Sequence, residues 1–287
     1  MNSETQIQLA EREIMGRLQA LEPTTKQRVL RKLVGAALGS IPWVGGFMAA
    51  GWAFRQESGQ VETHVLQRQW LEEHTGKMEK LGRALADLTA RLDSFGDEVT
   101  TRLESEEYLA LVRKAFRMWD QADTDQKREY ICRLLANAGG TKLCDDDLVR
   151  LFLDWLERYH EAHFKVIREV FQHPGSTRHA IWARVHGKFP PDNSPEADLF
   201  RLLISDLNLG RIIRQHREVN YQGQFIKKSS PRSGSSSSVM KSAFDDEEPY
   251  ELTELGKQFV HYVFSDIVKR IGAGPGGGAT GTPETAH

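Results

Sequence analysis

The side chains best suited to chemistry are ten histidines, two cysteines and one acidic triplet. His160 and His163 are three residues apart and lack the H-E-x-x-H spacing that places a base beside zinc, so the pattern favours a charged helix face. Asp145–Asp147 lacks the glycine and the distal glutamate of a calcium loop. Three carboxylates before an apolar run instead indicate the beginning of a helix, where they interact well with the helix dipole.

The cysteines and glycines carry no catalytic pattern either. Cys132 lies among apolar residues and is expected in the core, whereas Cys144 precedes the acidic triplet, whose charges would raise the pKa of its thiol and make it a poor nucleophile. Gly45-Gly46 is not followed by the Lys-Ser/Thr of a phosphate-binding loop. We therefore predict a protein that is not an enzyme and that holds no cofactor and no metal.

Composition narrows the class of protein further. The chain has 287 residues, 38 Lys+Arg against 40 Asp+Glu and a net charge of -2, which excludes a histone-like polycation and an acidic disordered tail protein. Hydrophobic residues at 39% and charged residues at 27% are typical of globular proteins rather than polytopic membrane proteins. Two cysteines exclude a disulfide scaffold, and the N-terminus has no signal-peptide pattern, so a reducing cytoplasmic location is expected.

The segment Leu33–Phe54 contains no charged residue over 22 positions, enough as a helix to span roughly 33 Å. Small residues four apart would let helices approach closely in lipid, and tryptophans suit a membrane interface. Proline and paired glycines in the middle would break the helix, so two interpretations stay open: a bent hairpin entering the inner membrane from the cytoplasm, or a helical hairpin packed within the protein. The candidate membrane-segment residues are Gly35, Gly39, Pro42, Trp43, Gly45, Gly46 and Trp52.

A long helix is predicted from about Val61 to Leu103, because apolar residues alternate at spacings of three and four. This apolar stripe, which we call the seam, must pack either against another copy of the chain or against the same domain. The seam residues are Met78, Leu81, Leu85, Leu88, Leu92, Phe95 and Val99.

The remaining pattern predicts further helices, with N-caps at Ser105, Thr124 and Ser194 and a helix cap formed by Asp145–Asp147. The last third changes character. We predict three helices there, over 159–171, from Ser176 or Thr177 to about His186, and over 194–207. A strand at Arg211–Arg214 comes next. A polar loop over 218–248, a strand at Tyr250–Leu252 and a final helix follow.

This order over residues 159–271 resembles the winged helix-turn-helix family, and Leu252–Gly256 is similar to the exit from the wing in many bacterial members. The resemblance implies DNA binding. The charges argue against it, because the recognition-like helix carries Glu196, Asp198 and Asp206 against Arg201 alone and would be repelled by phosphates. A protein-contact module is the alternative. The candidate nucleic-acid contacts are Arg211, Arg214, Lys227 and Lys228.

We therefore predict a mainly α fold: an N-terminal helical bundle with a long coiled-coil-like helix, then a C-terminal winged helix-turn-helix with a small two-stranded wing. The predicted domains are 1–56, an amphipathic helix and the Gly-rich apolar hairpin; 57–158, the helical bundle; 159–271, the winged-helix module, with a flexible wing loop over 218–248; and 272–287, a disordered tail.

The combination of Leu33–Phe54, the seam and the winged-helix pattern resembles bacterial anti-phage and abortive-infection proteins. That resemblance implies a non-enzymatic defence effector acting at the membrane, controlled through the C-terminal module. The alternatives are a dimeric winged-helix DNA-binding regulator and a soluble protein–protein adaptor. A second copy or a partner protein is the expected partner; membrane lipid stays open, and nucleic acid is disfavoured by the acidic helix.

Overall fold

The computed structural model describes residues 25–47, 61–95, 99–141, 143–216, 220–222 and 242–264, and the fold is mainly helical with one small two-stranded sheet. The helices are α1 (Thr25–Gly39), α2 (Val61–Asp93), α3 (Thr100–Glu104), α4 (Glu106–Gln121), α5 (Asp125–Gly140), α6 (Asp146–Arg158), α7 (Glu161–Gln172), α8 (Arg178–Val185), α9 (Pro195–Leu209) and α10 (Glu254–Phe264). The strands are β1 (Ile213–Gln215) and β2 (Tyr250–Leu252). Residues 42–47 are also helical.

Several predictions concern residues outside these ranges. They are the amphipathic helix over 3–21, Trp52 with the end of the uncharged segment, Lys227 and Lys228 in the wing loop, and the tail over 272–287. The predicted domain boundaries also stay a prediction.

The predicted N-caps are confirmed at all four positions. The side chains of Ser105, Thr124, Asp145 and Ser194 each accept a hydrogen bond from a backbone N–H of the first turn of the helix that follows. These bonds satisfy amide groups that have no partner inside the helix, so the four helices begin where the sequence indicates.

The seam is buried within a single chain. All seven of its residues lie in the core, and α2 packs mainly against α5. The close approach depends on the end of α5, where a Cβ added to Gly139 would lie 2.8 Å from Cδ2 of Leu92. The predicted continuous helix to Leu103 is wrong, because α2 ends at Asp93 and Phe95 lies in a turn before α3.

One continuous core joins the N-terminal helices to the last helix, α10. The Phe152 and Trp155 rings of α6 contact Phe259 of α10, with ring centroids 5.6 and 5.3 Å apart. Asn137 of α5 donates a 2.8 Å hydrogen bond to the backbone carbonyl of Tyr262. The C-terminal helix is thereby fixed to the helical body by both apolar and polar contacts.

The sheet pairs β1 and β2 in antiparallel register, with Ile213 opposite Leu252 and Gln215 opposite Tyr250. Ser176, just before α8, adds an isolated bridge to Tyr250. The strand predicted at Arg211–Arg214 is confirmed only in part. It begins at Ile213, because Arg211 adopts a left-handed backbone conformation with φ 59° that ends the preceding turn.

Candidate functional site

The described part of the uncharged segment has two unlike faces. Its large apolar side chains are buried against α3 and α4. The opposite face is exposed and consists mostly of small residues, and a Cβ added to Gly35, Gly39 or Gly45 would meet no atom within 4 Å. The buried residues are Leu33, Val34, Ala37, Ile41, Val44 and Phe47, and the exposed ones include Gly35, Gly39, Pro42, Gly45 and Gly46.

Trp43 fastens this segment to the helical body. Its indole Nε1 donates a 2.7 Å hydrogen bond to Oδ1 of Asp120 in α4. Its ring lies 5.3 Å from that of His74 in α2 and 6.4 Å from that of Phe47. Among the described residues, no helix is both long enough and apolar enough to cross a bilayer.

The second candidate surface is on α9, whose two ends and inner face are fixed by specific residues. Ser194 caps the helix and Pro195 occupies its first turn. The inner face is buried in the core through Ala197, Phe200, Leu203, Ile204 and Leu207. The helix ends at Gly210, where an added Cβ would lie 2.1 Å from the hydroxyl oxygen of Tyr159, so only glycine fits there.

The outer side of α9 is apolar and acidic. Leu199, Leu202 and Leu209 are 52%, 54% and 75% exposed, and Asp206 occupies the remaining position of the same stripe at spacings of three, four and three. Asp198 lies beside them at the first turn. We call these five residues the leucine face.

The one basic residue of α9 is already engaged. Arg201 donates a 2.9 Å hydrogen bond to the carboxylate of Asp198 and a 3.0 Å bond to the carbonyl of Asp192. The charge of Arg201 is therefore held by Asp198 and by the carbonyl of Asp192, and the leucine face itself contains no cation.

Asp206 contacts a buried histidine beneath the leucine face. Its Oδ2 lies 3.5 Å from Nε2 of His163 in α7, while Nδ1 of His163 accepts a 3.2 Å hydrogen bond from the backbone N–H of His160. Burial lowers the pKa of His163, and the nearby Asp206 carboxylate opposes that shift only in part. His163 is therefore neutral at pH 7. Because its Nδ1 accepts a hydrogen bond, its proton is on Nε2 and faces Asp206 without adding a positive charge. The predicted charged face of His160 and His163 is wrong for His163, which is buried.

The return of the wing loop is fixed beside the beginning of α9. Asp192 accepts hydrogen bonds of 2.8 Å from the hydroxyl of Ser242 and 2.9 Å from the backbone N–H of Ala243, and these bonds lower its pKa. The ring of Phe244 packs 4.9 Å from Trp182 and 5.8 Å from Phe200, the latter on the inner face of α9.

The two described candidates for nucleic-acid contact differ in their surroundings. Arg211 is exposed, whereas Nε of Arg214 donates a 2.7 Å hydrogen bond to Glu251 across the sheet. Burial alone would raise the pKa of Glu251, but hydrogen bonds from His216 and Arg214 outweigh it and lower that pKa. The guanidinium of Arg214 is thus committed to a carboxylate that stays ionised.

The groups considered for chemistry occupy structural positions. Cys132 is buried as predicted, and burial raises the pKa of its thiol to about 12. The pKa of Cys144 is also raised, by burial first and by Asp145 to a smaller extent, although the Tyr262 hydroxyl opposes it. Within the described ranges, no group of three His, Cys, Asp or Glu side chains is arranged to hold a metal ion.

No protein-family model matches the chain, and neither a curated protein nor a solved structure gives a significant match. The functional argument therefore depends on the two surfaces described above.

Sequence reasoning missed two features of these surfaces. Sequence reasoning did not distinguish the leucine face from the inner face of α9. The signal was present, because α9 has more apolar residues than one buried face can hold: five at positions 197, 200, 203, 204 and 207, and three more at 199, 202 and 209. The contact between Trp43 and Asp120 joins residues 77 positions apart, and no local pattern signals such a pair.

Proposed function

We propose that the protein is a non-enzymatic interaction protein whose C-terminal region binds a protein partner through the leucine face. The order of elements in this region is consistent with a winged helix-turn-helix. It runs from α7 through the bridge at Ser176 to α8, α9, β1, the wing loop and β2. In that interpretation α9 occupies the position of the recognition helix. The chemistry of the exposed side of α9 therefore discriminates between DNA readout and the adaptor hypothesis.

The observation that carries this proposal is the chemistry of the leucine face. Three leucines exposed in one stripe cost free energy in water, and clustered apolar exposure of this kind marks protein-contact surfaces. Asp206 in the same face has no cationic partner in the described structure, and Asp198 holds Arg201 in an ion pair, so the face offers DNA phosphates no free positive charge. An apolar surface with an acidic margin suits a protein partner and not a polyanion.

A membrane-acting defence effector is the second candidate, and one observation favours it. The exposed side of the uncharged segment has only small residues and Pro42 over Gly35 to Gly46, so a lipid surface meets no charge there. Insertion would first require release of the buried side from α4. The large apolar side chains that would lose their partners stabilise the packed state by on the order of 10 kcal/mol in total. This candidate therefore needs a trigger, whereas the leucine face is accessible as it stands.

The direct test of the proposed function is purification of the full-length protein from the cells that express it naturally, followed by quantitative mass spectrometry. The wild type is compared with Leu202→Lys on the leucine face and with Leu143→Lys, a matched control at a leucine that is 59% exposed on the α5–α6 connection. We expect a protein that is retained by the wild type and by Leu143→Lys, resists nuclease treatment and is lost with Leu202→Lys. A complex that dissociates on nuclease treatment, or one that Leu202→Lys leaves intact, would overturn the proposal.

A further inference from the structure

The leucine face has the spacing of a coiled-coil interface. Leu199, Leu202, Asp206 and Leu209 fall at heptad positions a, d, a and d. The three leucines lie on the side of α9 that is turned away from the core, and Asp206, 27% exposed, lies at the edge of that side against His163. The 15 residues of α9 extend for about 22 Å, which presents two heptads. A second helix laid along this face would bury the three leucines by knobs-into-holes packing.

We infer that the partner of α9 is an α-helix of another protein that has apolar residues at heptad spacing and a lysine or arginine at the core position opposite Asp206. This inference rests on the proposed function, because it names the kind of protein that the leucine face binds.

Asp206 selects the charge of that partner. A carboxylate at an a position is desolvated when two helices pair, and it is tolerated only if a charge or hydrogen-bond donor faces it. His163 supplies only a weak, uncharged donor: its Nδ1 accepts from His160, so its one proton is on Nε2, which lies 3.5 Å from Asp206 without good hydrogen-bond geometry. A cation from the partner would satisfy the carboxylate by charge complementarity.

The same register argues against a second copy of the chain as the partner. In a parallel pair of α9 helices, Asp206 would face Asp206. In an antiparallel pair, a positions face d positions, so that each Asp206 would face Leu202 of the other copy. Both arrangements desolvate a carboxylate without a cation opposite it, which is unfavourable.

The test measures binding of synthetic helical peptides of about 21 residues to the full-length protein by fluorescence anisotropy. Three peptides share leucine at the other core positions and differ at one central core position, which is lysine, leucine or glutamate. Each is titrated to about 1 mM, so that weak complexes are detected. We expect the lysine peptide to bind at least about tenfold more tightly than the glutamate peptide.

Four variants complete the design. Asp206→Lys should reverse the preference, so that the glutamate peptide binds best, whereas Asp206→Asn should abolish the preference without reversing it. Leu202→Lys should weaken all three peptides, and Leu143→Lys should weaken none. Circular dichroism of each variant checks that the helical fold is intact.

The outcomes separate this inference from the proposed function. Equal binding of the three peptides, or a preference that Asp206→Lys leaves unchanged, overturns the inference. If no peptide binds while a natural partner still depends on Leu202, the partner is not a basic helix and only the proposed function stands. If no protein depends on Leu202, the proposed function itself fails.

Discussion

Nε2 of His163 lies 3.5 Å from Oδ2 of Asp206, so that a buried histidine of α7 contacts the carboxylate that interrupts the leucine stripe of α9. The ring of His163 packs on that of Tyr159 at 4.9 Å, and Tyr159 in turn lies against Gly210 at the end of α9. The position of the leucine face therefore depends on a polar contact as well as on the apolar inner face.

The first prediction concerns pH. Burial lowers the pKa of His163 below its ordinary value of 6.5, with Asp206 opposing the shift and His160 adding to it. The unfolded chain then binds a proton more readily than the folded chain, so this contribution to stability is complete above about pH 6.5 and is lost as the pH falls below that value.

Urea unfolding of the wild type and of His163→Gln at about pH 7.5 and about pH 5.5 measures this contribution. We expect the wild type to lose more stability than His163→Gln over that interval. His186→Gln is the comparison, because burial and Lys165 also lower the pKa of His186, but that residue follows the end of α8 and is not beside Asp206. Equal pH dependence of the wild type and His163→Gln would contradict the prediction.

The second prediction compares two glycines. A Cβ at Gly140 would lie 2.3 Å from Cε2 of Phe95, whereas one at Gly35 would meet nothing within 4 Å. Gly140→Ala should destabilise the protein by about 1–3 kcal/mol through overpacking. Gly35→Ala, on an exposed face of α1, should stabilise it by about 0.5–1 kcal/mol. Thermal unfolding of both variants checks the opposite signs, and a stabilising Gly140→Ala would argue against the packing of α5 on the turn after α2.

The third prediction concerns the hydrogen bond between Trp43 and Asp120. Trp43→Phe keeps an aromatic ring and removes the donor, so it should lower the free energy of unfolding by about 1 kcal/mol. A double-mutant cycle with Asp120→Ala, which removes the acceptor, should give a coupling energy of at least about 0.5 kcal/mol. Additive effects of the two substitutions would mean that this bond does not hold the uncharged segment on α4.

The same variant tests the membrane candidate. If the segment is released on activation, Trp43→Phe should bind more strongly than the wild type to vesicles of anionic phospholipid in a flotation assay, with Gly35→Ala as a control that leaves the hydrogen bond intact. Absence of vesicle binding by all three proteins would leave the membrane hypothesis without support.

The fourth prediction concerns DNA. Because the leucine face offers phosphates no free cation and Arg214 is paired with Glu251, duplex DNA should bind weakly in a gel-shift assay. Arg211→Glu and a combined Lys227→Glu/Lys228→Glu variant should change that binding little. A steep salt dependence, together with a loss of about tenfold or more in these variants, would instead indicate phosphate contacts and favour the DNA-binding regulator.

Local signals predicted much of the fold. The N-caps at Ser105 and Ser194 and the burial of the seam follow from short-range spacing, since hydrogen bonds to a first turn and apolar stripes are local properties. The end of α2 at Asp93 was missed, because the apolar repeat continues through Phe95 and Val99 after the helix has stopped. Those two residues reach the core from a turn and from the beginning of α3.

The candidate site was less predictable for a physical reason. Heptad spacing identifies Leu199, Leu202 and Leu209 as an apolar stripe, but whether that stripe or the one containing Phe200 and Leu203 faces the core depends on the packing of α7 and the wing return. The uncharged segment posed the same difficulty, since a buried helix face and a lipid-facing one have the same composition.

Site-specific photo-crosslinking tests the central claim most directly. A photoreactive amino acid replaces Leu202 in the full-length protein, and the control chain carries it at Leu143; both are irradiated in the cells that express the protein naturally. We predict a crosslinked adduct at position 202 that proteases degrade and nucleases do not, that Asp206→Lys reduces, and that does not form at position 143. A nuclease-sensitive adduct at position 202, or equal crosslinking from the two positions, would contradict the account.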